Sequence, residues 1–219
     1  MGKDEAPRFS FRDLFSPGNG EFRGWADPPE LDTERLRLRR LRMRDAKDLY
    51  SWASDPEVAK YVLWEAHRSP AETRAYLRYV KSLYRRALPS SWGIVLKESG
   101  KVIGTIGVMA WSPEHRSVEV GYSLGRNWWH QGYAPEALRC LMDFLFDSMR
   151  INRIEAQCDV QNPNSARVME KCGMIREGML RQRVFNKGKA VDVALYAALS
   201  SDRQKNTAGS QPAVIAEQS

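Results

Sequence analysis

In the stretch WWHQGYAPEALRC, residues 128–140, a glycine and a small residue stand directly before an early proline and a helical pattern. A turn that leaves a strand and feeds a helix presents unpaired backbone N–H groups at the positive end of the helix dipole, an arrangement that attracts phosphate. Gly132 lets the backbone approach an anion, Ala134 adds little bulk, and Pro135 is tolerated early because its missing N–H would have no helical partner. The same residues also suit an ordinary strand-to-helix turn, so both readings stay open. Elsewhere Glu119 interrupts the apolar strand pattern SVEVGY, where an isolated charge is costly to bury without a partner or a use. It either lines a pocket or reaches a polar rim and pairs with an arginine. Asp192, in KAVDVALY, is a second such carboxylate, at the other end of the sheet.

Several other chemistries lack their signatures. Neither G-x-x-x-x-G-K-[ST] nor G-x-G-x-x-G occurs, which argues against a nucleotide triphosphatase or a Rossmann dehydrogenase, and there is no G-x-S-x-G elbow for Ser-His-Asp hydrolysis. The histidines, His67, His115 and His130, are far apart, with no H-E-x-x-H and no C-x-x-C, so no metal is expected. Cys140, Cys158 and Cys172 are odd in number and lie in apolar-patterned segments, which reads as reduced packing thiols in a cytosol. No run of about 18 apolar residues appears, the N-terminus lacks a secretory pattern, and Ala6 breaks the myristoylation pattern, so a soluble cytoplasmic protein with no membrane partner is expected. The net charge of +7 suits an anionic partner without naming one. In ERLRLRRLRMRD, Arg35, Arg37 and Arg39 alternate with Leu36 and Leu38, the period of a strand with one wet face. Nucleic-acid binding calls for basic residues clustered with exposed aromatics. No such clustering is visible, so no direct nucleic-acid recognition is expected, with RNA left open as part of a larger target.

With 219 residues, 42% of them hydrophobic, the chain can build one domain with a real core. Residues 1–30 read as an extension with scattered aromatic anchors, 31–200 as the domain, and 201–219 as a disordered tail. The domain opens with a strand near 32–41, followed by a helical pattern broken at Asp55-Pro56. A second helix follows, for which Ser69, Pro70 and Glu72 supply the starting signals. WGIVLK, KVIGTIGVMAW and SVEVGYSL read as three strands. Then come the opening turn with its apolar helix, the strand RIEAQCDV, the short helix PNSARVMEKC and two closing strands near 175–185 and 190–199. This order makes an α/β (α+β) domain, a mixed sheet with helices packed on it.

The ordered set VEVGYSL, WWHQGYAPEAL, a strand, then NPNSARVMEKCGM resembles the GNAT acyl-CoA-dependent N-acetyltransferases. Within them it is most similar to the RimJ/RimL-type group, which acetylates protein N-termini, including those of ribosomal proteins. The likeness runs from LDTERLRLRRL to DVALYAAL. The family's loop Q/R-x-x-G-x-G/A aligns with Trp129, His130, Gln131, Gly132, Tyr133 and Ala134. Trp at the first position departs from the general motif in the way usual for the RimJ/RimL branch. The resemblance implies a GNAT fold, a mixed sheet of about seven strands flanked by about four helices. It also implies acetyl-CoA as cosubstrate, with its pyrophosphate on that loop and its pantetheine arm against the backbone of Tyr122, Ser123 and Leu124. Gly121, just before them, marks a bulge or a close approach.

The implied reaction joins a neutral amine to a thioester carbonyl and releases a thiol. A protein N-terminus, with a pKa of about 7.7–8.0 against about 10.4 for lysine, needs only a modest base. Glu119 is the candidate for that role, with Asp192 behind it. Many GNAT enzymes carry a tyrosine acid at the position of Met169, which cannot donate a proton. The RimJ/RimL N-x-x-S element is met by Asn162 and Ser165, so the resemblance assigns Ser165 as hydrogen-bond donor to the departing sulfur and Asn162 to cofactor and catalysis. Either could instead simply cap the helix. A functional glutamate found in some relatives corresponds here to Val184. Trp64, His67, Trp111 and Tyr196 are candidate walls of an acceptor pocket. The expected function is acetyl transfer to a protein N-terminal α-amine by direct attack, with ribosome association possible. The alternatives are acetylation of a small amine such as an antibiotic or polyamine, or a non-catalytic acyl-CoA-binding module.

Overall fold

The computed structural model describes Trp25 and residues 27–203, so most of the expected N-terminal extension and the expected tail from 204 onward lie outside the described residues. The elements follow one another as β1 (Leu31–Asp32), β2 (Leu36–Arg40), α1 (Ala46–Ala53), α2 (Pro56–Ala59), α3 (Pro70–Arg85), β3 (Ser91–Leu96), β4 (Val102–Ser112), β5 (Ser117–Leu124), α4 (Tyr133–Asp143), β6 (Arg153–Asp159), α5 (Pro163–Lys171), β7 (Ile175–Asn186) and β8 (Lys189–Leu199). The strands form one eight-stranded sheet in the order β1-β2-β3-β4-β5-β6-β8-β7. Every neighbouring pair is antiparallel except β5–β6.

The sheet has one strand more than the seven expected. The segment read as a single strand from residue 32 folds back on itself, because Thr33 and Leu36 exchange backbone and side-chain hydrogen bonds and turn β1 antiparallel onto β2. Among the described residues there are likewise five α-helices rather than the four expected. Asp55 accepts from the Glu57 N–H and caps α2, with Pro56 in its first turn, so the helical pattern after Met43 divides in two. α3 begins as expected, Ser69 accepting from the Glu72 N–H. α4 runs on into a π-helical turn, Phe144–Ser148.

Each face of the sheet carries its own core. On one, α4 contributes Leu138 and Leu141 against Ile103, Ile106, Val118 and Val120. On the other, α1 and α3 set Leu49, Trp52, Leu77, Val80 and Tyr84 against Val95 and Val102. Trp25 is buried in the first core, edge-on to Trp92 and Trp111. Arg39 corrects the wet-face reading of β2: it is buried and bridged to Asp45 by two hydrogen bonds of 2.8 and 2.9 Å, because the turn at Met43–Asp45 folds over that face. Both charges are taken from water, and their mutual pairing, with the Arg42 N–H on Asp45 and the Arg40 carbonyl accepting from Arg39, makes that position tolerable. The cysteines are free, and burial pushes each thiol up to about 11, where it is unreactive at neutral pH. Among the described residues no helix is long and apolar enough to cross a membrane.

The sheet opens in its middle. β5 pairs with β6 only over Ser117–Glu119 against Arg153–Glu155. Beyond that point β5 stays with β4 up to Leu124, while β6 stays with β8 up to Asp159. The edges of β5 from Val120 and of β6 from Ala156 therefore part into a wedge. The register of β4 against β5 slips at the same place, between Val108 and Ala110, opposite Val120 and Glu119. A bulge sharpens twist and bends a strand, which accounts for the parting here. The bulge is thus on β4 and not at Gly121, for which it was one of the two readings. Gly121 serves the close approach instead, since a Cβ there would meet Met109 Cγ at 3.0 Å.

Candidate active site

Two clefts meet at the wedge. The first, of 480 Å³, lies on the α1/α3 side and is lined by Trp64, His67, Tyr76, Tyr79 and Glu119. The second, of 370 Å³, lies against the α4 and α5 starts and is lined by Leu124, Trp129, His130, Gly132, Tyr133 and Ala134. Tyr61, Val62, Tyr122, Ser123, Asn162 and Ser165 line both, so these residues form the passage between them.

The loop ahead of α4 is shaped for an anion. His130 and Gly132 both have positive φ, 61° and 81°, which turns the chain sharply before the helix. The N–H groups of Gln131, Gly132, Tyr133 and Ala134 find no acceptor among the described residues. Trp129 does not reach into the anion cradle: its Nε1 donates to the Leu124 carbonyl at 2.7 Å and ties the loop to the end of β5. Gln131 is the one loop residue that does not line the cleft. Its side chain donates to the Asn127 carbonyl, and its own carbonyl accepts from Arg35. Arg35 also pairs with Glu136 in the first turn of α4 at 2.6 Å and lies over the Tyr133 ring at 4.3 Å. Glu136 accepts further from Thr33 and the Arg35 N–H, and these partners hold its carboxyl below the usual range against the effect of its burial. Lys60, Arg167 and Lys171 line the same cleft against a single carboxylate, Glu57. Orphan donors, excess positive charge and the open edge of β5 together fit a ligand with a phosphate-bearing end and an extended amide-bearing arm.

At the junction, Asn162 Oδ1 accepts from the Ser165 N–H at 3.2 Å and so caps α5. Ser165 is thereby relieved of capping. Its Oγ lies 3.0 Å from the Tyr122 hydroxyl, which also donates to the Ser165 carbonyl. Burial pushes the Tyr122 phenol well above its ordinary range, so it stays protonated. Met169, on the same helix, is fully buried. Glu119 takes the pocket reading: it lines the first cleft, and among the described residues no cation lies within ion-pair distance of it and its one hydrogen bond is a long 3.5 Å contact from Gln157. Desolvation, and then the nearby charge of Glu155, raise its pKa, while Arg183 opposes them. Asp192 is occupied otherwise, accepting from the Gln182 N–H at 2.7 Å within an irregular stretch of β7.

Two of the expected wall residues are in place, and burial lowers the pKa of one of them, His67, whose Nδ1 is engaged by Thr73 Oγ1 at 2.8 Å. Two are not. Trp111 packs edge-on to Trp25, and Tyr196 is buried with its hydroxyl donating to Glu170, both away from the cleft. The cause is strand alternation, which sends each of these rings to the face opposite the acceptor cleft. Val184 pairs with Val191 and offers no carboxylate. The Arg35–Glu136 clamp and the Tyr122 hydroxyl were not foreseen. Tyr61 and Val62 were also missed. Their segment is held by Asn186 and Lys187 at the β7–β8 tip, which donate to the carbonyls of Val62 and Ala59. All of these join residues roughly 40 to 130 positions apart, and no local pattern signals such pairs.

A family model described as an acetyltransferase (GNAT) domain matches residues 35–175. The chain is 35% identical over 172 residues to the uncharacterized N-acetyltransferase p20 of Bacillus licheniformis, covering 78% of this chain and 97% of that protein. It is 30% identical over 132 residues to the ribosomal-protein-serine acetyltransferase of Escherichia coli (strain K12), covering 60% of this chain and 73% of that protein. Among solved structures, an acetyltransferase (GNAT family) from Bacillus anthracis superposes with a TM-score of 0.71 at 26% identity, over 79% of this chain and 99% of that one.

Proposed function

Because the chain belongs to the GNAT family of N-acetyltransferases, we propose that it acetylates the α-amine of a protein N-terminus, of the ribosomal-protein type, using acetyl-CoA. The observation that carries this reading is the meeting of two clefts at Tyr122, Ser123 and Ser165, one cationic with orphan N–H donors and the other aromatic with a carboxylate on β5 that no cation among the described residues pairs. The name of the E. coli relative supports a ribosomal protein as acceptor. A polycationic small amine would call for several carboxylates, whereas the acceptor cleft offers only Glu119 and Asp159.

The loop N–H groups of residues 131–134 would hold the pyrophosphate, Lys60, Arg167 and Lys171 would balance its charge, and the open edge of β5 would pair with the pantetheine arm. When bound, acetyl-CoA supplies a thioester carbonyl activated toward an amine. Glu119 draws the proton from the incoming ammonium, through water, since it sits three strand residues, about 10 Å, from Tyr122. As the C–S bond breaks, Ser165 Oγ would donate a hydrogen bond to the departing sulfur and accept one from the Tyr122 hydroxyl in place of that hydroxyl's bond to the Ser165 carbonyl, and the thiolate would take its proton from the nitrogen of the forming amide. No side chain forms a covalent bond to the acyl group.

The test is to incubate the protein with acetyl-CoA and a set of short peptides and small amines while following free thiol. Turnover is expected with Ser- or Ala-starting peptides. Turnover confined to polyamines or aminoglycosides overturns the acceptor assignment, and tight cofactor binding with no turnover overturns the activity. Gly132→Val probes the loop separately. Its φ of 81° excludes a β-branched residue, and a Cβ would meet Arg35 Nη2 at 3.3 Å. Backbone strain of about 1–3 kcal/mol corresponds to roughly 5- to 150-fold weaker acetyl-CoA binding, measurable by calorimetry on protein whose melting curve remains cooperative.

A further inference from the structure

The outer flank of α3 carries charge that the acetyl-transfer site does not use. Arg74, Arg78, Lys81 and Arg85 are spaced four, three and four residues apart and all are exposed. At 3.6 residues per turn they fall within an arc of about 60°, and at 1.5 Å per residue they form a row about 16 Å long. Among the described residues none of the four has a carboxylate within ion-pair distance. The one acid of the helix, Glu72, lies on the other side and accepts from the Arg68 N–H at the helix start. Thr73, Leu77, Val80 and Tyr84 turn inward, and Tyr76 and Tyr79 face the acceptor cleft, so the basic row lies on the opposite flank of α3 from the cleft and takes no part in it. The linear sequence shows no basic cluster here because apolar residues separate the charges. The helix brings them together.

We propose that this row binds the phosphate backbone of RNA that accompanies the acceptor, a partner that rests on the ribosomal-protein reading above. The row contains no large apolar side chain, whereas protein interfaces are organised around buried aromatic or aliphatic anchors and amphipathic helices hold membranes with an apolar face. Evenly spaced, flexible cations without anchors suit a repeating chain of phosphates contacted independently of base identity.

The experiment measures binding of a labelled single-stranded oligoribonucleotide by fluorescence anisotropy between 50 and 200 mM salt. Four phosphate contacts predict a log–log salt slope of about −2.8, a loss of roughly 50-fold over that range. The R74Q/R78Q/K81Q/R85Q variant is expected to bind several hundred-fold more weakly at about 0.1 M salt, roughly fivefold per contact. A control variant, K101Q/R139Q/R150Q/K189Q, removes as many exposed charges elsewhere and is expected to bind nearly as the parent does. Equal loss in both variants overturns the proposal, as does a slope near zero. Equally tight binding of polyglutamate, of anionic vesicles or of duplex DNA overturns the assignment to RNA. Peptide acetylation by the α3 variant is expected to be unchanged. Because binding and turnover are read separately, failure of the RNA site and failure of the acceptor assignment are distinguishable.

Discussion

Ser165→Ala is expected to lower kcat by about 10²-fold or more while leaving acetyl-CoA affinity within about threefold, the signature of an interaction used in the transition state and not in binding. The geometry removes the usual objection that a serine at a helix start is only a cap. Asn162 supplies the cap, and Ser165 takes part through its N–H, which alanine retains. The lost hydroxyl has Tyr122 as its partner at 3.0 Å. Tyr122→Phe should therefore reproduce part of the defect, and the double variant should be little worse than the serine variant alone, since contacting groups couple. Single-turnover rates beside calorimetric Kd values separate chemistry from binding. Unchanged turnover in Ser165→Ala would reduce the hydroxyl to a packing contact.

Glu119→Gln carries the second large effect, with opposite consequences for activity and stability. As the base, Glu119 acts only when ionised, so kcat/KM in the parent should climb as pH rises through its elevated pKa and again as the acceptor amine loses its proton. The glutamine variant should lose about 10²-fold and keep only the limb belonging to the amine. Burial beside Glu155 makes the ionised form costly. A carboxyl whose folded pKa exceeds its unfolded value binds its proton more tightly when folded. Ionisation therefore costs stability, a cost absent below the ordinary carboxylate range and fully present above the raised pKa. Glu119→Gln is thus expected to melt above the parent at pH 7 and at the same temperature near pH 3. Equal melting temperatures across that range, with activity retained, would remove Glu119 from the reaction.

The regular elements were legible because their signals are local. Ser69-Pro70 opens α3, Asn162-Pro163 opens α5, and alternation marks β5 and β6. Strand counting failed where a side-chain turn, Thr33 against Leu36, outweighed continuous alternation. The pocket walls failed where alternation decided which face a ring occupies, as with Trp111 and Tyr196. Glu119 was legible for a physical reason: a charge inside an apolar strand needs an explanation. Its freedom from a salt bridge was not, because any of several arginines could have been its partner.

By itself the sequence determined that a glycine-turned helix start faces the end of a strand, that a carboxylate lies within that strand, and that a serine follows three residues after an asparagine. Backbone geometry and capping preferences act over a few residues, so residue types and spacing suffice for them. Only the tertiary structure decided that β5 and β6 part just past Glu119, that Arg35 locks the loop through Glu136, and that Ser165 meets Tyr122 across 43 positions of chain. These depend on which strand lies beside which and where a bulge falls. Such choices are settled by packing two cores against one sheet, and no window of sequence contains them.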